Sequence, residues 1–252
     1  MIGLILAQHN EIEFLKDCLD PWINYRKPNP LLIAALDVCF AENGTGGSTD
    51  GSAELLQNYK TSLLIDKYEQ LVNGLKEHEA RNVALKWLLE QGVELIISIG
   101  ADEVFSLSQI NEIFNYVEKD NLTALFKIHY KNYVGDKQHY VLGFKPNRVW
   151  RVSYNGWKLK ELNFDDDAVY EKDGQIVSDK SFPTKVIPGV FVRHLTWLNG
   201  ERSENKIIYQ EKRWGKDSCS YKIDPISKQV SLNDKYYKIT CQSKPEVLSD
   251  IS

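Results

Sequence analysis

The run Val93 to Ile99 constrains this chain most, because it is almost wholly apolar, and a strand of that kind is stable when buried on both faces. Such burial needs cover on each side of a sheet. The sequence supplies one cover directly upstream, where Leu75 to Glu90 reads as a helix with Ala80, Ala84, Leu85, Leu88 and Leu89 on one apolar stripe. Ahead of it, Ile2 to Ala7 reads as a strand, Glu11 to Leu19 as a helix and Leu36 to Phe40 as a strand. The last of these ends in a Gly-rich loop, Glu42 to Gly51, followed by a helix from Ser52 to Tyr59 and a short strand from Leu63 to Asp66. This alternation predicts an α/β fold of Rossmann-like type, a mixed and mostly parallel sheet flanked by helices.

Beyond the central strand, Ser106 and Gln109 have capping-box spacing ahead of a helix that lines up Ile110, Ile113, Phe114 and Val117. After Asn121 the character changes to aromatic-rich β stretches, Thr123 to Val134 and Tyr140 to Tyr154, expected to extend the same sheet. Residues from Asp165 to Pro188 read as loop, Val190 to His194 as a strand and Glu204 to Trp214 as a helix. The expected organisation is one α/β unit over residues 1–215, with halves 1–105 and 106–215, and a C-terminal tail over 216–252.

The 252 residues are 42% hydrophobic and 26% charged, which suits one large buried core and excludes a mostly disordered chain. A net charge of -4 with no basic patch gives no field for a nucleic-acid backbone. Cys18, Cys39, Cys219 and Cys241 form no C-x-x-C pair and read as reduced thiols. The opening apolar run is too short for a signal peptide or a membrane span, so a cytoplasmic location is expected.

Ligands of open α/β sheets bind beyond the carboxyl ends of the strands, and here three such ends are acidic: Asn10 and Glu11, Glu42 and Asn43, Asp102 and Glu103. Carboxylates in that position suit Mg2+ or Mn2+ bridging protein and diphosphate. Each also has a plainer reading, Glu11 as a helix start and Asp102 with Glu103 as turn residues. The loop Gly44 to Gly47 is a near miss for a dinucleotide fingerprint, with Asp66 at roughly the distance of a ribose-binding acid, but it follows the second strand and leaves Asp102 and Glu103 idle. His78 and Glu79 begin a zinc motif that Asn82 breaks, and neither G-x-x-x-x-G-K nor G-x-S-x-G occurs.

In four places, in order, the chain resembles the family-2 glycosyltransferases. Ile5 to Glu11 is similar to the family's first strand and Y-N-E. Glu42, Asn43 and Gly44, then Ser48, Thr49, Asp50 and Gly51, resemble D-N-G-S-T-D-G with Thr45, Gly46 and Gly47 inserted. Ala80, Arg81 and Asn82 resemble A-R-N, and Gly100 to Glu103 resembles D-A-D-E with glycine at its first acid. The resemblance implies a GT-A fold, with a nucleotide-sugar-binding half followed by an acceptor-side half. It implies a nucleoside-diphosphate sugar donor, with a UDP-sugar favoured, held by Ala7, His9, Asn10, Glu11, Glu42, Asn43, Arg81, Ala101 and Asp102. Glu11 and Glu42 would hold the base and ribose, Arg81 the diphosphate and Asp102 the metal ion, Mn2+ or Mg2+.

Glu103 and His194 are further candidate metal ligands, His194 also having a structural reading. Glu161 resembles the family's acceptor-side acid and is the candidate general base, with Asp165, Asp166 and Asp167 as alternatives. Trp157 and Trp197 are candidates for stacking on sugars or for the core, and Arg148 and Arg151 read as sheet-surface residues. The expected activity is inverting, metal-dependent sugar transfer to an acceptor hydroxyl. A nucleotide-sugar-binding protein without turnover and a nucleotidyltransferase are the competing classes.

Overall fold

Four parallel strands, β1 (Ile2–Gln8), β2 (Leu31–Phe40), β3 (Lys67–Leu75) and β4 (Leu95–Ile99), form the centre of the computed structural model. It describes residues 1–41, 44–163, 167–198, 203–204, 207–208, 221–223, 230–232 and 239–241. The strands lie in the order β3-β2-β1-β4, with Leu4 opposite both Ile33 and Ile97. From β1 the chain moves outward to β2 and β3, then returns to the other side of β1. The helices leaving β1 and entering β4, α1 (Ile12–Arg26) and α3 (Glu77–Glu90), pack on opposite faces, and this divergence opens a crevice at the carboxyl ends of β1 and β4.

Both faces are covered, as the apolar run of β4 requires. Leu4, Leu6, Ile33 and Ile97 pack against α1, α2 (Ser52–Thr61) and α4 (Leu107–Lys119), while Ile5, Leu36, Val38 and Ile96 pack against Ala80, Ala84, Leu85 and Leu88 of α3. Leu88 is fully buried, a contribution of about 1.5–3 kcal/mol for a side chain of its size. The predicted capping box of α4 is present, with the Gln109 amide donating to Ser106 Oγ at 3.2 Å and the Ser106 amide to Gln109 Oε1 at 2.8 Å.

The second half extends the sheet. β5 (Glu103–Val104) follows β4 directly, and β6 (Leu125–Val134), β7 (His139–Val141) and β8 (Asn147–Arg151) follow α4. β8 lies antiparallel between β4 and β6. A separate four-stranded antiparallel sheet contains β9 (Ser153–Tyr154), β10 (Trp157–Leu162), β11 (Ala168–Lys172) and β12 (Gln175–Ser178). The long β13 (Thr184–Trp197) then runs parallel to β6 and pairs antiparallel with β5, which sets His194 opposite Glu103. In the tail, β14 (Tyr221–Ile223) pairs with β15 (Val230–Leu232), and β16 (Ile239–Cys241) adds to the main sheet beside β7.

Several sequence expectations are corrected. Leu63 to Asp66 is not a strand: Leu63 adopts φ 57, and the amides of Leu64 and Ile65 return to Tyr59 O, closing α2. The third strand is the polar segment Lys67–Leu75 at the sheet edge, where Lys67 pairs with Glu69 at 2.8 Å and no apolar alternation announces it. The 165–188 segment holds β11, β12 and the start of β13. Its signal was Asp173-Gly174, both at positive φ, a two-residue turn matched by Asn155-Gly156 between β9 and β10. Arg148 is buried, not on the sheet surface, and the partly buried Arg151 donates to the carbonyl of Val117 in the last turn of α4 at 2.7 Å and to that of Thr123 just after it at 2.9 Å. Of the expected helix from Glu204 to Trp214, residues 204 and 207–208 are helical, and the rest lies outside the described residues.

Asn82 joins the second sheet to α3. Its amide nitrogen donates to Leu162 O at 2.8 Å and its oxygen accepts from Leu162 N at 2.7 Å, the two bonds a neighbouring strand would supply. Asn82→Ala is expected to destabilise the protein by about 1–3 kcal/mol and to speed hydrogen exchange at the Leu162 amide. Unchanged denaturation and exchange would show that the clasp is dispensable.

Candidate functional site

A buried carboxylate organises the crevice at β1. Asp37, fully buried in β2, accepts from Gln8 Nε2 at 2.8 Å, from Gln70 Nε2 at 2.9 Å, from the Ser48 amide at 3.0 Å and from the Ser48 hydroxyl. Ser48 thereby draws the Gly-rich loop onto the end of β1. From there the loop holds the β1–α1 junction residue by residue: the Asn10 amide donates to Ser48 Oγ, the Thr49 amide to Asn10 Oδ1, the Glu11 amide to Ser52 Oγ and the Ile12 amide to Asp50 Oδ2, all at 2.8–2.9 Å.

This arrangement explains the Ser-Thr-Asp-Gly run physically. Asn10 is held at φ 54, a left-handed setting that asparagine adopts more readily than most residues other than glycine, and Asp50 satisfies an amide at the start of α1. Burial works against the Asp50 carboxylate. Hydrogen bonds from the Ser52 side chain and from the amides of Ile12 and Ser52 outweigh that and hold its pKa below the ordinary value. Two atoms here lack hydrogen-bond partners among the described residues, the buried Gln8 Oε1 and His9 Nδ1.

At β4 the chain turns through Gly100 and Ala101 into Asp102 and Glu103, both buried. Glu103 forms a fork with Arg148, whose Nη2 donates to Oε1 at 2.7 Å and Nε to Oε2 at 3.0 Å. The same guanidinium lies 5.3 Å from the centre of the Tyr130 ring. Asp102 takes a different partner set. The Thr196 hydroxyl donates to Asp102 Oδ2, His194 Nε2 lies 3.5 Å from that oxygen, and the Leu195 amide donates to the Asp102 carbonyl at 2.9 Å. His194 Nδ1 faces Asn132 Oδ1 at 2.6 Å, and because an amide oxygen only accepts, Nδ1 carries the proton and Nε2 is the atom turned toward Asp102.

Gly100 has a steric reason to be glycine. A Cβ there would lie 2.7 Å from Asp102 Oδ1 and 3.2 Å from Glu103 Oε1, so any side chain at this position would push the Asp102 carboxylate aside and crowd that of Glu103. Beneath the turn, Cys18 Sγ donates to Gly100 O at 3.4 Å; burial, with the charges of Glu103 and Asp102, pushes its thiol pKa well up.

The candidate residues are distributed unevenly. Ala7, His9, Asn10 and Glu11 sit together at the β1 end, and Ala101, Asp102, Glu103 and His194 at the β4 end. Glu42, Asn43, Asp165 and Asp166 lie outside the described residues, and Asp167 pairs with Lys180 at 2.7 Å. Arg81 is buried in α3 and bonded to Glu77 at 2.6 Å. Glu161 is exposed on β10, outside the hydrogen-bonded cluster around Asp102. Trp197 is buried, and Trp157 packs edge-on against Phe182. Asp66 binds Arg26 at 2.7 Å and the Ile33 amide at 2.8 Å, near the start of β2 and away from the crevice, which removes the dinucleotide reading.

Sequence reasoning missed Asp37, Asn132, Arg148 and Thr196. Asp37 had a legible signal, a lone carboxylate inside the apolar run from Leu31 to Phe40. The others come from distant segments and carried none.

Among the described residues no three His, Cys, Asp or Glu side chains form a ready-made metal site. Asp102 and His194 are nevertheless spaced as two donors to one divalent ion would be. Two donors on one ion at about 2.0–2.2 Å lie roughly 3–3.5 Å apart, the separation seen here.

No family model and no curated protein sequence matches this chain. Solved structures share its fold. TarS 1-349 of S. aureus in complex with UDP-GlcNAc superposes with a TM-score of 0.50 at 13% identity, over 90% of this chain and 69% of that one. The mannosyltransferase PcManGT from Pyrobaculum calidifontis, in complex with GDP-Man and Mn2+, gives 0.51 at 11% identity, over 77% and 56%. The chain spans from 36% to 69% of the length of the matched TarS structures. The mixed α/β GT-A architecture expected from the sequence is therefore the fold of this protein.

The Glu103–Arg148 pair yields a direct test. Arg148→Met leaves a buried carboxylate unpaired and is expected to cost about 3–5 kcal/mol in chemical denaturation, while adding Glu103→Leu should recover most of the loss. A single variant as stable as the wild type would show that the fork does not brace the turn.

Proposed function

We propose that this protein is a glycosyltransferase that moves a sugar from a nucleoside-diphosphate sugar, a UDP-sugar foremost, to an acceptor hydroxyl. The observation that carries the reading is the convergence of the Asp102–His194 pair and the unsatisfied Gln8 Oε1 and His9 Nδ1 on the two strand ends that border the crevice. Unsatisfied buried polar atoms at such a crevice suit a polar ligand. The fold supports the same class, since the two similar structures hold UDP-GlcNAc and GDP-Man.

In this reading His9, Asn10, Glu11, Glu42 and Asn43 surround the nucleoside, with Ala7 and Ala101 as the small walls of its pocket. Asp102 and His194 would hold Mn2+ or Mg2+, a reading that the Mn2+ in the mannosyltransferase complex supports. When bound, the ion offsets charge growing on the leaving diphosphate. Glu103, in its fork with Arg148, fixes the turn that aims Asp102. Arg81 supplies positive charge from α3, once turned from Glu77 toward the diphosphate.

Glu161 is the proposed base. Its carboxylate takes the proton of the acceptor hydroxyl as that oxygen bonds to the anomeric carbon, the bond from that carbon to phosphate breaks, and the nucleoside diphosphate leaves with the electron pair. Attack opposite the leaving group inverts the anomeric centre. The exposed position of Glu161 on a separate sheet suits a group that meets the acceptor, not the donor. Among the described residues Cys18 and Cys39 are free thiols, which agrees with a cytoplasmic setting, and no described helix is long and apolar enough to cross a membrane.

Turnover tests the reading. With UDP-GlcNAc, GDP-Man and other nucleotide sugars plus Mn2+, release of nucleoside diphosphate is expected, whereas pyrophosphate chemistry would indicate a nucleotidyltransferase and binding without release a non-catalytic protein. Asp102→Asn should reduce release at least about a hundredfold and remove its Mn2+ dependence without loss of thermal stability beyond about 1 kcal/mol. Metal-stimulated turnover in that variant would overturn the metal assignment. Glu161→Gln should lower transfer by about 10²- to 10⁴-fold with donor affinity unchanged. Near-normal transfer would move the base elsewhere.

A further inference from the structure

The segment joining β7 to β8 exposes two large apolar side chains, Leu142 at 39% and Phe144 at 49%. Its backbone is fixed: the Tyr130 amide donates to Phe144 O at 3.1 Å and the Ile128 amide to Pro146 O at 3.2 Å. The Phe144 ring is therefore presented from a rigid base. Its neighbour inward is Tyr130, edge-on at 5.6 Å between ring centres, and Tyr130 in turn lies 5.1 Å from the His194 ring. One buried aromatic thus separates an exposed one from the Asp102–His194 pair.

We propose that Phe144 is a stacking platform for the acceptor, and that the acceptor therefore presents a sugar ring at this point. The proposal rests on the glycosyltransferase reading for the word acceptor, but its geometry is independent of the donor pocket. Two side chains make a patch far too small for a protein partner, which needs about 800 Å² on each side. A single pyranose ring fits it better, with a C–H face for the phenyl ring and hydroxyls for polar neighbours. The partly buried His194 is such a neighbour on the Tyr130 side, its ring 5.1 Å from the Tyr130 ring, and Lys145 is exposed next in sequence. A preorganised ring also loses little conformational freedom on binding, which favours a weak ligand such as a monosaccharide.

The test uses the full chain, methyl β-glycosides of glucose, N-acetylglucosamine and mannose as probes, and saturation-transfer NMR to read binding. Calorimetry with UDP-GlcNAc and GDP-Man in the presence of Mn2+ reads the donor site separately. Phe144→Ala is expected to weaken glycoside binding by about tenfold or more, Phe144→Trp to retain it, and both to leave nucleotide-sugar affinity and melting temperature unchanged. The proposal is overturned if the wild type binds a nucleotide sugar but no glycoside, or if Phe144→Ala binds glycosides as the wild type does. Self-association that Phe144→Ala abolishes, with no glycoside binding, would likewise overturn it in favour of an interface between copies. Absence of nucleotide-sugar binding alongside Phe144-dependent glycoside binding would remove the donor reading and keep the platform.

Discussion

Because β2 and β3 lie on one side of β1 and β4 on the other, α1 and α3 leave the sheet on opposite faces, and neither of them closes the space above the ends of β1 and β4. The remaining features of the site follow from that opening. The Gly-rich loop reaches it from β2, and Asp37 holds the loop there through Ser48. β13 reaches it from the other side, and its pairing with β5 sets His194 and Thr196 beside Asp102. Thr196 and Asp102, 94 residues apart in sequence, meet because the β13–β5 pairing sets them side by side.

Among the described residues three buried carboxylates, Asp37, Asp102 and Glu103, border this crevice in different surroundings. Asp37 is held by dipoles alone, the amides of Gln8 and Gln70 and both donors of Ser48, and works as a clamp. Glu103 is matched by a full guanidinium charge and serves as a brace. Asp102 faces a hydroxyl and an imidazole nitrogen, and in the proposed function it would share a divalent ion with the donor. Glycine at position 100 keeps room for the last two carboxylates to face their own partners.

Much of this was legible in the sequence, for identifiable reasons. Buried strands and the stripes of α3 and α4 announce themselves because apolar residues have nowhere else to go, so β1, β4 and the second half of β2 were readable, although β2 already begins at Leu31. The edge strand Lys67–Leu75 was not, because an edge needs no apolar face. The second sheet was hidden behind short polar strands, although Asn155-Gly156 and Asp173-Gly174 marked its turns. In the site, strand-end carboxylates stood out by position. The partners that decide their roles, Arg148, Thr196 and Asn132, depend on pairings between distant segments that no local pattern encodes.

The central claim is that a nucleoside diphosphate occupies the ends of β1 and β4. Hydrogen exchange of the full chain with saturating UDP and Mn2+ measures this most directly. The account predicts slowed exchange at the amides of residues 8–12, 48–52 and 100–103, with little change in the second sheet over 153–178. Bound UDP that leaves those three segments exchanging as in the free protein, or protects a different surface instead, would contradict it.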